Sequence, residues 1–302
     1  PKHSVRRIFK TRIGTVIRLN NLAGDTTQIK NGLIKKGLEL TEIEWSPDTY
    51  IVENFDKSEL GKIEDYEKGL FYIQSLPSLL PGIVAQFDRL NPGGYSEDKP
   101  LKILDLCASP GGKTLHICSL TKNIKKELIA NDIDAWRIKS LADVLEQFHA
   151  ADVRVIAHDG TDIESIYQNY FEYIFLDAPC SSEGMVRLDS RDSLKFWGIK
   201  KIKQLSQTQK KLILSSFKAL KQGGVLLYST CTLEPEENEA IVDFLIKEYG
   251  DRVRIEEIDL LKSENFSYFR RFVREGKIEW EDKVFDEQVK NSIRVFPGSK
   301  SI

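Results

Sequence analysis

The sequence has little of what marks secreted, membrane or metal-binding proteins. Its 302 residues include only four cysteines and four histidines. Four cysteines in a chain of this length make no disulfide framework, and no CxxC or HExxH spacing suggests a metal, so none is expected. No apolar run approaches the ~18 residues of a membrane span, and no charged-then-apolar signal segment opens the chain. A reduced, cytoplasmic protein without a membrane partner is the expectation. The first residue is Pro1, so a start methionine is expected to lie outside this numbering. No internal repeat or low-complexity stretch is present. Neither sign of charge dominates: 44 Lys and Arg against 46 Asp and Glu give a net charge of −2. Taken alone, that balance speaks weakly against a nucleic-acid partner.

The distribution of charge says more than its sum. Residues 1–40 hold nine Lys and Arg (Lys2, Arg6, Arg7, Lys10, Arg12, Arg18, Lys30, Lys35, Lys36) against Asp25 and Glu39. Residues 195–222 hold eight lysines and no acid. Both stretches suit phosphate backbones; solvated helix faces are the other reading.

A hydrophobic content of 41% is ordinary for a globular chain with a sizeable core. Residues 1–65 read as a small mixed unit. Arg12 to Leu19 is strand-like, Thr26 to Lys36 helix-like, and Glu42 to Trp45 and Tyr50 to Phe55 are short strand candidates. Ser75 to Leu90 reads as a helix with Pro77 near its start, where proline is tolerated. A turn at Asn91-Pro92-Gly93-Gly94 follows. From Leu101, strand candidates at 102–107, 127–132, 153–157, 173–178 and 224–231 alternate with helix candidates at 112–121, 134–149, 161–169, 200–221 and 235–249. Such alternation implies an α/β fold with a mostly parallel sheet covered on both faces. The long connection 179–199 has the length of a functional loop.

Two thiols and one loop carry the chemistry. Asp177-Ala178-Pro179-Cys180 and Ser229-Thr230-Cys231 each follow an apolar run, and strand ends of a parallel sheet open onto the ligand crevice. Cys231 precedes a helix expected near Pro235, and a helix N-terminus lowers a thiol pKa. Cys118, on a helix candidate, reads as a small hydrophobe, and Cys107 as part of the loop. That loop, Asp105-Leu-Cys107-Ala108-Ser109-Pro110-Gly111-Gly112-Lys113-Thr114, admits three readings. As an NTPase phosphate loop it has Gly112-Lys113-Thr114, but it lacks the first glycine and carries Pro110, which has no N–H. The dinucleotide fingerprint GxGxxG is absent. A strand-terminal acid followed by small residues at alternate positions (Asp105, Cys107, Ser109, Gly111) suits an S-adenosylmethionine loop. Asp132, about twenty residues past the loop, is placed to bind ribose hydroxyls, and Asp159 to face an adenine amino group. A helix cap or turn is the plainer role for each acid taken singly.

The motifs Asp105 to Thr114, Asn131-Asp132, Asp177 to Ser181 and Ser229-Thr-Cys-Thr-Leu-Glu-Pro-Glu-Glu-Asn-Glu239 together resemble the signatures of the Nop/Sun family of RNA cytosine-5 methyltransferases, in order and spacing, over roughly 66–298. Arg18 to Trp45 and Gly69 to Gln74 also resemble the region that leads into the family's catalytic domain. The resemblance implies a Rossmann-like class I methyltransferase domain (66–302) behind a small N-terminal α+β, RNA-contacting domain (1–65). It implies S-adenosylmethionine as cofactor, tRNA or rRNA as partner, and a monomer. It makes Cys231 the thiol that adds to carbon 6 of cytosine and Cys180 the thiol that assists release. Asp177 would bind the polar edge of the base, with Lys113 close to both ligands. Cys107 to Lys113, Asp132, Arg137, Asp159 and Asp177 would line the cofactor site. The target base must leave its stack, and Phe196, Trp197 and Tyr72 are stacking candidates, although core packing suits each better. A non-catalytic RNA-binding module on a methyltransferase fold and a nucleotide hydrolase remain the alternatives. Family members commonly carry a Gly-Phe-Phe strand after Arg-Val-Phe-Pro. Here the sequence ends at Ile302, shortly after Arg294-Val-Phe-Pro-Gly-Ser299, so the last sheet strand is expected to be missing or different. Leu76-Pro77 also stands where relatives usually carry small polar residues.

Overall fold

A computed structural model describes residues 14–87, 89, 90, 93–182 and 198–296. The first sheet is antiparallel and ordered β2-β3-β1-β4, with β1 at Thr15–Leu19, β2 at Leu40–Glu42, β3 at Thr49–Val52 and β4 at Phe71–Ile73. Alternate residues of its strands face two different cores, as a period of two requires. Ile17, Leu19, Tyr50 and Val52 pack with Ile29 and Leu33 of α1 (Thr26–Lys35). Val16 and Ile51 face the other way, toward α2 (Leu76–Val84) and Phe266, Phe269 and Val273 from far along the chain. The expected division after residue 65 runs through this sheet, because β4 pairs with β1 through Arg18 and Tyr72. Helix α2 also stops at Val84, short of the expected Leu90; Gln86 adopts a left-handed φ of 48° just beyond it.

The second sheet is parallel throughout, in the order β7-β6-β5-β8-β9. Its strands are β5 (Leu101–Asp105), β6 (Lys126–Asp132), β7 (Arg154–Ala157), β8 (Phe171–Asp177) and β9 (Leu220–Ser229). Both faces are buried, which is why these strands read as nearly continuous apolar runs. Ile103, Tyr173 and Phe175 lie under α3 (Gly112–Leu120) and α4 (Ala135–Gln147). Leu104, Ile174 and Leu176 lie under α5 (Ile199–Ala219) and α6 (Glu239–Tyr249). Strand order reverses beside β5, so the crevice at the C-terminal ends of β5 and β8 is the site this topology provides for a ligand.

Two expected elements of this half differ. Residues 161–169 are not an α-helix; a 3₁₀ turn covers Gly160–Ser165, capped by Asp159. The helix expected over 235–249 is split into a 3₁₀ turn at Pro235–Glu237 and α6, with Asn238 (φ −120°, ψ −93°) at the break. Asn238 holds that break by donating to the carbonyls of Thr232 (3.2 Å) and Glu234 (2.8 Å). Beyond α6 the chain forms β10 (Val273–Glu275), the small hairpin β11 (Glu279–Trp280) and β12 (Lys283–Val284), and β13 (Ile293–Val295), which pairs with β10. Among the described residues no helix is long and apolar enough to cross a membrane.

Candidate active site

The loop after β5 is built by close packing. Gly111 has φ +111° and opens α3 from the left-handed region, where a side chain would be strained. A Cβ on Gly112 would lie 3.0 Å from the Tyr72 ring, so β4 of the N-terminal sheet buttresses the loop directly. Tyr72 also packs edge-on against Phe148 at 5.0 Å, which places it in the core and not on a base-stacking surface. Phe196 and Trp197 lie outside the described residues.

Neighbouring strand tips hold the loop in register. Asn131 donates to the carbonyls of Leu106 (3.0 Å) and His158 (3.1 Å), stitching β5, β6 and the segment after β7 together. The Ser109 N–H donates to Asp132 Oδ2 at 3.2 Å. Arg137 donates to the Ser109 carbonyl at 3.0 Å and stands 3.4 Å from Asp132. The structure thus brings together Cys107, Ala108, Ser109, Pro110, Gly111, Gly112, Asp132 and Arg137. Asp159 stands apart in role: its exposed carboxylate accepts from the N–H (2.9 Å) and hydroxyl (2.8 Å) of Thr161, and those bonds hold its pKa down.

Lys113 and Thr114 point to separate carboxylates. Lys113 pairs with Asp177 Oδ2 at 2.5 Å, while Ser229 donates to Asp177 Oδ1 at 2.9 Å. Thr114 is fully buried and donates to Asp105 Oδ2 at 2.6 Å. The hydroxyl that would meet magnesium in a nucleotide hydrolase is therefore consumed inside the protein, which removes the support for that reading. Asp105 Oδ1 is buried with no hydrogen-bond partner among the described residues. Burial pushes the Asp105 carboxyl up to about 6, against the opposing pull of Thr114. Burial likewise pushes the Cys107 thiol up, and Cys118 to about 12, which suits neither to nucleophilic work.

Both remaining thiols lie in loops just past their strands, and the two loops meet. Cys180 Sγ and Cys231 Sγ are 2.9 Å apart, and both are free cysteines. The Cys231 N–H donates to Cys180 Sγ at 3.2 Å, and Ser182 Oγ lies 3.3 Å from Cys231 Sγ. The Cys180 hydrogen bond brings the Cys231 thiol down to about 7, against the cost of burial. The same contact, with burial second, drives the Cys180 thiol up. The contact therefore favours Cys180 as the donor and Cys231 as the thiol that ionises first. The expected helix-terminus effect on Cys231 is replaced by this neighbour, because the element at Pro235 is a single 3₁₀ turn.

Part of each basic stretch is spent within the fold. Lys2, Arg6, Arg7, Lys10 and Arg12 lie outside the described residues. Arg18 is buried (2% exposed), donates to Gln74 at 3.5 Å, and has its pKa lowered to about 10 by burial. Lys36 pairs with Asp65 at 2.8 Å, and Lys30 stands 3.8 Å from Glu42. In the second stretch Lys218 pairs with Glu164 at 2.9 Å and Lys221 with Glu172. Lys200, Lys201 and Lys203 are exposed on the first turns of α5.

A parallel sheet with a small-residue loop after its first strand, acids at the tips of its neighbours and a paired thiol above them defines a Rossmann-like methyltransferase. The family described as 16S rRNA methyltransferase RsmB/F matches residues 94–299, and the chain belongs to it. The chain is 34% identical to the tRNA (cytosine(49)-C(5))-methyltransferase of Pyrococcus abyssi over 93% of its own length and 82% of that protein's. It is 34% identical to ribosomal RNA small subunit methyltransferase F of Shewanella sp. (strain MR-7) over 81% of its own length, and spans about half (49%) of that relative. Among solved structures, that of PH0851 superposes with a TM-score of 0.70 at 27% identity, covering 81% of this chain and 53% of its own. A methyltransferase homologue from Pyrococcus horikoshii superposes with a TM-score of 0.70 over 97% of this chain and 85% of its own; at 22% identity it shows the fold alone.

Proposed function

We propose that this member of a family of RNA cytosine-5 methyltransferases acts on a tRNA or rRNA cytosine through a covalent bond from Cys231. The observation that carries the reading is the thiol pair, two free cysteines with sulfurs 2.9 Å apart, a contact that lowers the pKa of Cys231. Carbon 5 of cytosine is too weak a nucleophile to take a methyl group unaided. The Cys231 thiolate adds to carbon 6, and the electron pair of the 5,6 double bond moves to carbon 5. Once carbon 5 has used that pair to take a methyl group, loss of its proton to a base and expulsion of the thiolate restore the ring. A thiol of lowered pKa leaves faster, so the Cys180 donor that lowers the pKa of Cys231 also assists release. Asp177, held by Lys113 and Ser229, is placed to bind the polar edge of the base. Positive charge at a helix N-terminus is unfavourable; an RNA phosphate near Lys200, Lys201 and Lys203 would offset it. Bisulfite sequencing of RNA treated with the protein tests the reading: a new protected cytosine supports it, and none in either tRNA or rRNA sinks it.

S-adenosylmethionine is the cofactor of this enzyme class, and it supplies an electrophilic methyl carbon. The residues suit it. The buried acceptor at Asp105 Oδ1 calls for a donor that none of the described residues provides; the 107–113 loop, Asp132 and Asp177 lie at the C-terminal ends of β5, β6 and β8, and Arg137 is bonded to that loop.

Two predictions follow from the titrating groups. Alkylation of Cys231, mapped by mass spectrometry, is expected to rise with pH about a midpoint near 7, not the 9 of an ordinary thiol. Asp105 binds its proton more tightly folded than unfolded, so its contribution to stability is present below pH 3.8 and lost as pH rises through about 6. A shift of about two pH units corresponds to ~3 kcal/mol. Asp105→Asn is therefore expected to stabilise the cofactor-free protein by ~1–3 kcal/mol at pH 7.5 but much less at pH 4, by urea unfolding. It is also expected to weaken cofactor binding in calorimetry.

A further inference from the structure

The loops that carry Cys180 and Cys231 are joined to each other by the residues that follow each thiol. Ser181 Oγ and Thr232 Oγ1 are 3.1 Å apart, both buried. Beneath them lies Glu237, in the 3₁₀ turn at Pro235–Glu237 and fully buried at 0% exposure. Its carboxylate accepts the Ser181 N–H on both oxygens (3.1 and 3.3 Å), and the Ser181 hydroxyl on Oε2. Gln209, fully buried on α5, divides its amide between Glu237 Oε1 and the Pro179 carbonyl, each at 2.9 Å. The Glu237 carbonyl in turn accepts the Tyr228 hydroxyl at 2.6 Å, which anchors the turn to β9.

A buried carboxylate is costly unless its hydrogen bonds are satisfied. Here its donors come from the residues around one thiol, while the hydroxyl chain runs on to the residue beside the other. We propose that Glu237 is a positioning residue that sets the separation of the Cys180 and Cys231 thiols through Ser181, Thr232 and Gln209. It touches neither sulfur. Its effect would reach the reaction only through the thiol–thiol hydrogen bond, and in that respect the inference rests on the roles given to Cys180 and Cys231 above.

Glu237→Gln tests this, because it leaves one acceptor oxygen for the Ser181 N–H, the Ser181 hydroxyl and the Gln209 amide. Among the described residues the groups that face Cys231 are Cys180 and Ser182 from the loop after β8, Asp177 at the end of β8 and Lys113 on α3. None is changed by E237Q, and loss of the Glu237 charge would by itself move the Cys231 midpoint down, so an upward shift reports on loop position and a downward one counts against the proposal. The readout is the pH dependence of Cys231 alkylation in the protein alone, beside circular dichroism. The expected result is a folded protein with its midpoint moved up by about one unit, and alkylation at pH 7 slowed ~5-fold. A folded E237Q with the parent profile would overturn the proposal. Should E237Q fail to fold, the near-isosteric Thr232→Val decides the matter: a midpoint moved in the same direction supports the proposal, and an unchanged one refutes it. The measurement needs neither RNA nor cofactor. A parent protein that methylates no RNA, together with a shifted E237Q profile, would sink the functional reading and leave the positioning role standing.

Discussion

Cys231→Ala is expected to lower methyl transfer by at least ~10³-fold, as loss of a nucleophile does elsewhere, and to leave no covalent protein–RNA band on a denaturing gel. Cys180→Ala is expected to behave in the opposite way at the gel. Its Cys231 thiol loses the donor that lowers its pKa, so addition at neutral pH slows. The adduct, once formed, loses a departing thiolate stabilised by a neighbour, and RNA accumulates on the protein. An adduct retained in Cys231→Ala and lost in Cys180→Ala would mean that the two roles are reversed. Single-turnover kinetics on each variant separates slow addition from slow release.

Arg294→Met is expected to cost about 3–5 kcal/mol in urea unfolding, because it strands a buried carboxylate. Arg294 on β13 and Glu239 at the start of α6 are almost fully buried, with contacts of 2.6 and 2.7 Å from one guanidinium nitrogen to both carboxylate oxygens. The second nitrogen donates to the Leu233 carbonyl, two residues past Cys231. Among the described residues the other donor to that carboxylate is the Lys277 N–H at 2.9 Å. The double variant Arg294→Met/Glu239→Gln is expected to recover much of the loss, since the unpaired charge is then gone. Equal destabilisation of the single and double variants would show that packing, and not charge, is what Arg294 supplies.

The catalytic sheet was legible in the sequence because its strands are buried on both faces and stand out as apolar runs. The tips of β5, β6 and β8 fall within two residues of the expected ends. The cysteine loops and the small-residue loop were legible for the same reason, as departures from those runs. Arg18 was misread as a surface charge: its partner Gln74 lies 56 residues away, and no local pattern signals that burial. The strand β4 was missed in the N-terminal unit because three residues carry too little periodicity. Glu237 stood in the sequence only as one residue of the motif that runs from Ser229 to Glu239. Its partners Ser181 and Gln209 are 56 and 28 residues distant, so its place beneath the thiols emerges only when three elements meet. Asp105 was read as part of the loop's alternation. Its raised pKa is a property of burial that the strand's sequence does not express.

The core beneath the N-terminal sheet has a consequence for how the chain is made. Val16, Trp45, Ile51, Leu76 and Leu79 share that core with Phe266, Phe269 and Val273. The sheet therefore leaves one apolar face open during translation until residues near 273 have left the ribosome. About 190 residues separate the two halves, a wait on the order of 10–40 s at bacterial-to-eukaryotic elongation rates. Throughout that wait the early half presents the kind of surface that nascent-chain chaperones bind.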